Sequence, residues 1–357
     1  MEVVIPAWTL AEKHGGIRVL CEIASGLADR GHRVVFLAFD EESHPAFPTR
    51  AEIVSIGPRP WGRNLILDLP KQRRLRAAIE RFPTADVVLA NHNMTALPVH
   101  RARVAARKFY YIQAYEPDFY PRTPQRIVYA WRAKRTYDYP LHFIANAPSV
   151  AAAVCGSGGE RIPIVPPGLD PSLYHARNRR PPGARPVVGT IGRFGQWKGT
   201  VDCFEAVRRV RARGIELDFS VAFGNVPAGY ENDARLDVAP ADDRALTDWY
   251  RSLDVLIAGV YWGGAPYPPL EAMACGTAVV TTPNDHVQAD QTALVAPQQN
   301  PGALAEALER ALTNRALRER LVVAGHAAAA NHSWEVLVPR MERLLRGELE
   351  SPVGCPR

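Results

Sequence analysis

Short, wholly hydrophobic runs alternate with helical patterns along most of this 357-residue chain. In the first half they lie at 2–7, 33–39, 86–91, 108–113, 142–147 and 162–168. These runs are apolar throughout instead of alternating, as expected for strands that are covered on both faces. Between the first two runs, Ile17, Leu20, Ala24 and Leu27 form one face of a helix that ends at Gly31. Helices between such strands predict a parallel, doubly wound sheet.

The pattern stops in a polar, proline-rich stretch at 176–186 and then begins again. Further apolar runs follow at 186–192, 217–224, 254–260, 277–282 and 292–297. Thr200 is placed to cap the helix after the first of these runs. Three helical stretches finish the chain, at 301–313, 315–329 and 333–346. The pattern therefore predicts a second α/β domain, joined to the first by a linker.

Length and composition agree with two globular domains, because single domains are typically about 100–150 residues long. Hydrophobic residues make up 47% and charged residues 22%, which is typical of neither fibrous nor disordered chains. No apolar run approaches the roughly 18–20 residues that cross a bilayer. The start of the chain has no basic region or cleavage site of a secretory signal. We therefore expect a cytoplasmic protein.

The five cysteines, at positions 21, 155, 203, 275 and 355, show no paired spacing. Without such pairs the sequence indicates neither a zinc site nor a disulfide framework. We expect free thiols.

The formal net charge is +6, with the densest basic clusters at 71–76, 132–135 and 177–185. Most of this charge is expected on solvated faces and in the linker. The alternative is a weak attraction to phosphates, acidic glycans or the inner, anionic membrane surface, and thus a peripheral location there. No nucleic-acid-binding motif accompanies the charge, so nucleic acid is not an expected partner.

Candidate chemistry lies after the strands, since ligands of open α/β sheets bind beyond the strands' carboxyl ends. Gly15 and Gly16 follow the first strand and open a helix, whose free N–H groups suit an anion; a plain turn is the alternative. Arg193 and Lys198 lie in a glycine-rich loop after the first strand of the second half. Two such cations can bind a diphosphate, although exposed surface cations are the alternative. The GxxxxGK[ST] spacing of a phosphate-binding loop is absent.

Glu271 follows the run at 254–260, in an otherwise uncharged segment rich in glycine and proline. We predict Pro269 at the first helical position and Glu271 at the third. An acidic residue in a first helical turn is stabilising by about 0.3–1 kcal/mol without any ligand. The alternative is a carboxylate that accepts both hydroxyls of a ribose, as in dinucleotide folds.

The order of these segments resembles the family-4 retaining glycosyltransferases of the GT-B fold. The resemblance spans nearly the whole chain and is carried by the Gly-Gly loop, "VPPGLD", "GRFGQWKG", "DWYRSLDVLI", "GAPYPPLEAMACGTAVV" and "HSWE". The segment 109–121 also resembles one in rhamnan-type rhamnosyltransferases. The resemblance implies two Rossmann-like, doubly wound domains facing a cleft. The first is an acceptor domain at 1–172, to which a final helix (333–350) crosses back. The second is a donor domain at 187–332, and a linker at 173–186 joins the two.

By this resemblance, Arg193 and Lys198 bind the donor diphosphate and stabilise the leaving group, and Glu271 binds the ribose. Gly15 and Gly16 approach the phosphates from the other domain. The residues around Glu271 complete the donor-binding set: Gly264, Ala265, Tyr267 and Leu270.

The nucleobase is contacted in this family largely through backbone, here at 223–243, so UDP-, GDP- and dTDP-linked sugars stay open. The nucleotide sugar is a substrate, and no cofactor is expected. No DxD motif is visible, so the resemblance implies a metal-independent reaction.

Three positions depart from the family pattern. The family usually has two glutamates eight positions apart, and Gly263 takes the place of the first. Gln113 stands where many members have a histidine near the reacting sugar, and it cannot take a proton at neutral pH. Pro266 removes a backbone N–H where the family typically has glycine.

Further candidates follow other strand ends of the first half. His92 is a candidate catalytic residue, although a structural or exposed histidine is the alternative. Glu116 and Asp118 are candidate acceptor-side carboxylates, with a solvated loop as the alternative.

The resemblance implies transfer of a sugar, with retention, from a nucleotide sugar to a hydroxyl of a polysaccharide, lipid-linked glycan or natural product. In a front-face displacement the departing phosphate oxygen accepts the acceptor's proton, so the protein mainly positions the acceptor and stabilises the leaving diphosphate. One alternative is a pseudo-glycosyltransferase, a nucleotide-sugar binder or partner subunit, suggested by Gly263 and Gln113. Another is a GT-B epimerase, which needs ionisable residues around the sugar, and 263–268 contains none.

Overall fold

The computed structural model describes residues 1–60, 68–120, 124–179, 183, 185–192, 198–236, 242–261 and 264–355. The chain divides into two compact units, Met1–Gly168 with Trp334–Arg357 (unit 1) and Leu169–Ser333 (unit 2). Each unit contains one six-stranded sheet, and every strand pair in the described residues is parallel. The predicted class, two parallel-sheet α/β domains, is confirmed.

The described residues of unit 1 form six strands, five connecting helices and the helix near the C-terminus. The strands β1–β6 are Glu2–Pro6, Arg33–Ala38, Glu52–Ser55, Val87–Ala90, Arg107–Ile112 and His142–Ala145. The helices α1–α5 are Gly15–Asp29, Asp68–Ile79, Asn93–Arg101, Pro124–Arg135 and Pro148–Cys155, and α11 is Trp334–Arg346. The sheet order is β3-β2-β1-β4-β5-β6, so the direction in which strands are added reverses between β1 and β4.

Unit 2 repeats this plan. The strands β7–β12 are Val187–Ile191, Asp218–Ala222, Arg235–Leu236, Val255–Ala258, Ala278–Thr281 and Leu294–Val295. The helices α6–α10 are Thr200–Ala212, Asp243–Ser252, Tyr267–Ala274, Pro301–Thr313 and Arg315–Ala330. The order β12-β11-β10-β7-β8-β9 reverses between β7 and β10.

Most apolar runs form strands close to their predicted positions, with three differences. In the run at 162–168, Ile164 makes only an isolated bridge to Ala145. Strands β3 and β9 were not predicted, and both lie at sheet edges. Edge strands are covered less completely, and β3 is buried at none of its four residues, so no continuous apolar run marks it.

Two predicted helix starts are wrong by one or two residues. Helix α6 begins at Thr200 itself, and Gly199 is its N-cap. Helix α8 begins at Tyr267 after Pro266, which puts Pro269 third and Glu271 fifth. Proline fits anywhere in a first turn, where N–H groups have no intrahelical partner, so the prolines of this segment do not define the start.

The prediction of five free thiols is wrong for one pair, because Cys155 and Cys355 form a disulfide with an S–S distance of 2.08 Å. An antiparallel bridge between His142 and Val353 brings the C-terminal segment back to β6. Two cysteines 200 residues apart thereby reach a Cα–Cα distance of 5.1 Å. Such a pairing depends on tertiary structure, and local spacing does not reveal it. The remaining thiols, those of Cys21, Cys203 and Cys275, are buried.

The last helix, α11, packs on α1, and its buried carboxylate, that of Glu342, binds residues that follow α1. The Nε2–H of His32 donates to this carboxylate at 2.8 Å, and Arg30 and Arg346 form ion pairs with it. Burial alone would raise the pKa of Glu342, but these partners lower it to about 2. The cluster holds the end of the chain within unit 1. The boundaries 1–172, 173–186 and 187–332 and a cleft between the domains stay predictions.

Candidate functional site

The strand order of unit 2 brings the donor-site candidates to the point where the sheet reverses. Strands β7 and β10 are neighbours there, and ligands of open parallel sheets bind in the crevice outside such a pair. Lys198 lies in the loop after β7, whereas Gly264 and Ala265 follow β10. Two residues of the same loops, Arg193 and Gly263, lie outside the described residues.

The two loops touch through glycine backbone. Gly199 has a φ of 61°, and a Cβ there would lie 1.6 Å from the carbonyl oxygen of Gly259. A Cβ on Gly259 would in turn lie 2.8 Å from the Gly199 oxygen. Only glycine fits this approach, which holds the exposed Lys198 beside the end of β10.

The turn before α8 is held by a reciprocal pair of hydrogen bonds. The N–H of Gly264 donates to Oδ2 of Asp285 at 3.1 Å, and the N–H of Asp285 donates to the Gly264 oxygen at 2.9 Å. Sequence reasoning missed Asp285, because its partner lies 21 residues away along the chain. The pair fixes the uncharged segment that leads to Glu271.

Glu271 is 4% exposed and lies between two phenols. The hydroxyl of Tyr250 donates to Oε2 at 2.8 Å, and that of Tyr174 donates to Oε1 at 3.2 Å. Because Glu271 is the fifth residue of α8, the first-turn dipole does not explain its position. The two phenols therefore fix the orientation of this carboxylate.

The other donor-site candidates differ in exposure. Leu270 is fully buried in the core of unit 2, so its side chain is a packing residue. Ala265 and Tyr267 are half-buried.

His286 lies beside the 264–266 turn, and sequence reasoning also missed it. It is 6% exposed, and its ring centroid lies 5.0 Å from that of His332. Burial, then the neighbouring His332, lowers the pKa of His286 to about 3, against an opposite effect of the Ala265 backbone. Within the described chain neither ring nitrogen has a hydrogen-bond partner. His286 is therefore a neutral imidazole beside the 264–266 turn.

The segment predicted to meet the nucleobase begins directly after β8. Phe223 and Gly224 both have a φ of 67°. The side-chain amide of Asn225 donates to the Gly192 oxygen at 3.0 Å. The 223–225 turn thus contacts the residue that follows β7. Of the predicted 223–243 segment, residues 237–241 lie outside the described chain.

In unit 1 the predicted residues also follow the strands around the reversal. Gly15 and Gly16 are the first two residues of α1. Gln113 follows β5, and its Nε2 donates to the Gly16 oxygen at 3.1 Å. Two candidates nearly 100 residues apart therefore meet in one hydrogen bond.

His92 caps α3. Its Nδ1 accepts the N–H of Met94 at 3.2 Å, while the Thr95 hydroxyl accepts the N–H of His92 at 3.2 Å. Burial lowers the pKa of His92 to about 4, so the imidazole is neutral at neutral pH. This geometry favours a structural role for His92.

Glu116 is 2% exposed, so the solvated-loop expectation is wrong for it. Its Oε2 accepts the N–H of Asn93, the first residue of α3, at 2.5 Å. Burial raises the pKa of Glu116 to about 8, despite the neighbouring Tyr110 hydroxyl and Asn93, which act in the opposite direction. Asp118, two residues on, is exposed.

Among the described residues, no three histidine, cysteine, aspartate or glutamate side chains cluster as metal ligands would. Of the described helices, none is both long and apolar enough to cross a bilayer.

Two family models match the chain, one in each half. The model "Glycosyltransferase Family 4" matches residues 14–173. The model "Glycosyl transferases group 1" matches residues 185–314. Together they take in most of the sequence.

A curated relative is similar over almost the whole chain. The O-antigen biosynthesis protein RfbC of Myxococcus xanthus is 28% identical over 355 residues, which is 95% of this chain and 26% of RfbC. The chain thus spans about a quarter of that relative, and about half the length of other curated relatives that it matches.

Solved structures share the fold at low sequence identity. Sucrose-phosphate synthase from Thermosynechococcus elongatus is 18% identical with a TM-score of 0.75, covering 98% of this chain and 99% of that one. Anabaena HepE, in complex with UDP and glucose, is 16% identical with a TM-score of 0.74, covering 97% of this chain and 100% of HepE. With the two parallel sheets, these comparisons show that the chain consists of a glycosyltransferase family 4 domain and a glycosyl transferases group 1 domain and has the GT-B fold.

Proposed function

We propose that this chain is a retaining glycosyltransferase, which moves a sugar from a nucleotide-sugar donor to a hydroxyl acceptor. The observation that carries the proposal is the meeting of two loops where the sheet of unit 2 reverses. Gly199 and Gly259 hold Lys198 against the end of β10, and the chain after β10 leads to Glu271. A cation for a diphosphate and a carboxylate for a ribose thus come from the two strands that flank a ligand crevice.

In the proposed reaction the main task of the protein is to neutralise the leaving diphosphate. Lys198 would do this together with Arg193, whose geometry lies outside the described residues. In other enzymes one such donor is worth roughly 2.7–4 kcal/mol of transition-state stabilisation. The departing phosphate oxygen would accept the acceptor's proton, so no histidine base is required. This fits the capping role of His92, and it fits Gln113 as the residue that positions Gly16 beside the donor phosphates.

The donor and acceptor are proposed by class. HepE is known in complex with UDP and glucose, so a UDP-linked sugar is our first candidate ahead of GDP- and dTDP-linked ones. RfbC is named for O-antigen biosynthesis, which favours a polysaccharide or lipid-linked glycan as acceptor. The nucleotide sugar is a substrate in this proposal, and the reaction uses neither a metal ion nor a resident cofactor. We also propose unit 1 as the acceptor domain and unit 2 as the donor domain.

The second candidate is a pseudo-glycosyltransferase that binds nucleotide sugars without transferring them. It is favoured by Gly263 in place of a glutamate, and by the engaged Nδ1 of His92.

The first test is a thermal-shift screen against UDP, GDP, dTDP and their common sugars, because a ligand that binds the folded state raises the melting temperature. Transfer and hydrolysis of the donor that binds are then measured with and without acceptor. Binding without either reaction would favour the pseudo-glycosyltransferase.

The diphosphate site is tested by Lys198→Ala and Arg193→Ala. We expect each to lower donor affinity or turnover about tenfold or more, since each removes a charge from the developing diphosphate. Arg315→Ala, which removes an exposed cation of α10, is the control and should change neither. Unchanged kinetics in both site variants would contradict the assignment.

A further inference from the structure

Helix α4 of unit 1 presents its apolar side chains to the solvent. Ile127, Val128 and Trp131 are 57%, 40% and 56% exposed. Their spacing of one and four residues puts them on one face of the helix. A helix of a globular protein normally buries its apolar face, so an exposed one indicates a partner with an apolar surface.

On its other side, α4 carries polar side chains that make hydrogen bonds within unit 1. The hydroxyl of Tyr129 donates to Oδ2 of Asp68 at 3.2 Å, and Nη2 of Arg132 donates to Oε1 of Gln72 at 3.4 Å. These contacts with α2 determine how α4 is rotated about its axis. The exposure of the apolar face therefore follows from the packing of the helix.

Cations lie beside the same face. The sequence of α4, "PQRIVYAWRAKR", contains four basic residues and no acidic one. Lys134 and Arg135 lie one turn beyond Trp131 and are exposed, and the guanidinium of Arg135 lies 5.1 Å from a ring centroid of Trp131. This places positive charge directly beside the apolar patch.

A cavity of about 330 Å³ opens next to the patch, between α4, α3 and α2. Trp131 lines it together with three arginines, Arg101, Arg132 and Arg135. Among its described lining residues there is no carboxylate. The cavity therefore suits an anion, at the border of an apolar surface.

We propose that α4 and this cavity dock the protein on a bilayer of anionic phospholipids. Ile127, Val128 and Trp131 enter the headgroup region, where tryptophan is favoured, and the arginines meet the lipid phosphates. Charge complementarity selects this occupant, because α4 itself contains no acidic residue and the described lining of the cavity contains three arginines and no carboxylate. The proposal does not depend on sugar transfer, because vesicle binding is measured without donor or acceptor.

The test is co-sedimentation of the full chain with phosphatidylcholine vesicles, with and without phosphatidylglycerol. We expect binding only to the vesicles with phosphatidylglycerol, and weaker binding at high salt. The triple variant Ile127→Ser, Val128→Ser and Trp131→Ser should lower the partition coefficient about tenfold or more, because it removes the inserting surface. The double variant Lys134→Glu and Arg135→Glu should also lower the partition coefficient, because it replaces two cations by anions that the lipid phosphates repel.

Val323→Ser is the matched control, because Val323 is an apolar side chain that is 71% exposed, and it belongs to α10 of unit 2 and not to the unit that carries the patch. It should bind vesicles like the unmodified chain. Equal partitioning of the triple variant, or equal binding to pure phosphatidylcholine, would overturn the proposal. So would competition by inorganic phosphate, which indicates a site for a soluble anion, or a dimer that the triple variant abolishes, which indicates a second copy as the occupant.

A labelling experiment avoids any dependence on the folding of the triple variant. Ile127→Cys offers an exposed thiol, whereas the native cysteines are buried or joined in the disulfide. An environment-sensitive fluorophore at this position should shift to shorter wavelength on adding anionic vesicles, and a label at Val323→Cys should not. Unchanged emission at position 127 would refute insertion of α4.

Discussion

Glu271 serves the fold and the proposed site through the same carboxylate. Its two oxygens accept hydrogen bonds from the hydroxyls of Tyr250 and Tyr174, so the side chain is oriented before any ligand arrives. A preoriented carboxylate loses little side-chain entropy when it binds a ribose, which favours affinity. Gln113, through its bond to Gly16, combines structure and proposed function in a similar way.

Glu271→Gln separates these two roles. The amide nitrogen of glutamine cannot accept a hydrogen bond, so we expect nucleotide affinity to fall about tenfold, the equivalent of one hydrogen bond to a charged group. Calorimetric titration with the nucleotide found in the thermal-shift screen measures the change.

Tyr250→Phe is the control for that experiment, since it removes a phenol and keeps the carboxylate. It should reduce stability more than nucleotide affinity. If Glu271→Gln binds nucleotide like the unmodified chain, the carboxylate is only structural.

Glu116 should make stability depend on pH. Its pKa of about 8 compares with an ordinary value of 4.5, so between these values the folded chain keeps a proton that the unfolded chain releases. The folded state then binds more protons, and the free energy of unfolding falls as pH rises from 4.5 to 8. Glu116→Gln keeps an acceptor for the Asn93 N–H and should remove this part of the slope.

Urea unfolding at a series of pH values from 4.5 to 8 measures the slope. Asp118→Asn, at an exposed neighbouring position, is the control and should leave it unchanged. Equal slopes for Glu116→Gln and the unmodified chain would mean that Glu116 is ionised in the folded state.

At the scale of elements, the contact between Gly199 and Gly259 joins the start of α6 to the end of β10. Neither loop holds its position alone, because each glycine leaves the space that the other's backbone occupies. The donor loops are therefore positioned by secondary structure elements that are far apart in the sequence.

Gly199→Ala should disrupt this junction. Its Cβ would lie 1.6 Å from the Gly259 oxygen, so the loops must separate, and donor affinity should fall together with stability. Urea unfolding and calorimetric titration measure the two effects.

Gly214→Ala is the matched control, because Gly214 also has a positive φ, of 85°, but nothing lies within 4 Å of its Cβ position. Its free energy of unfolding should fall only by the cost of a left-handed conformation, about 1–2 kcal/mol, and its donor affinity should be unchanged. Equal effects of the two substitutions would show that the junction does not position Lys198.

At the scale of the whole molecule, the disulfide and the Glu342 cluster both fasten the C-terminal segment to unit 1. Cys155 and Cys355 are 200 residues apart in the sequence, and all of unit 2 lies between them. Disulfides are rare in cytosolic proteins, so this pair argues against the predicted cytoplasmic location.

The double variant Cys155→Ser and Cys355→Ser should lower the free energy of unfolding by about 2–4 kcal/mol, because the cross-link restricts the unfolded chain. Urea unfolding with and without reductant checks this. Reductant should destabilise the unmodified chain by the same amount and leave the double variant unchanged. If reductant left the stability of the unmodified chain unchanged, the disulfide would not contribute to it. Alkylation of free thiols in lysed cells would show whether the disulfide is formed where the protein works.

Much of the fold could be predicted because burial on both faces produces continuous apolar runs. β1, β2 and β7 lie where such runs occur, whereas the edge strand β3 leaves no comparable pattern. Lys198 and Gly199 were also visible, since a glycine-rich loop after a strand is a local signal. The partners of the site were not visible: Tyr174 and Tyr250 contact Glu271 from 97 and 21 residues away.

The sequence by itself determined the two parallel α/β domains and the segments that carry Lys198 and Glu271. These depend on hydrophobic periodicity and on glycine and proline, which act within a few residues. Only the tertiary structure decided which groups surround Glu271, that Glu116 is buried, that Cys155 reaches Cys355, and that α4 turns its apolar face outward. Each of these depends on contacts between segments far apart in the chain, and no local pattern records such a contact.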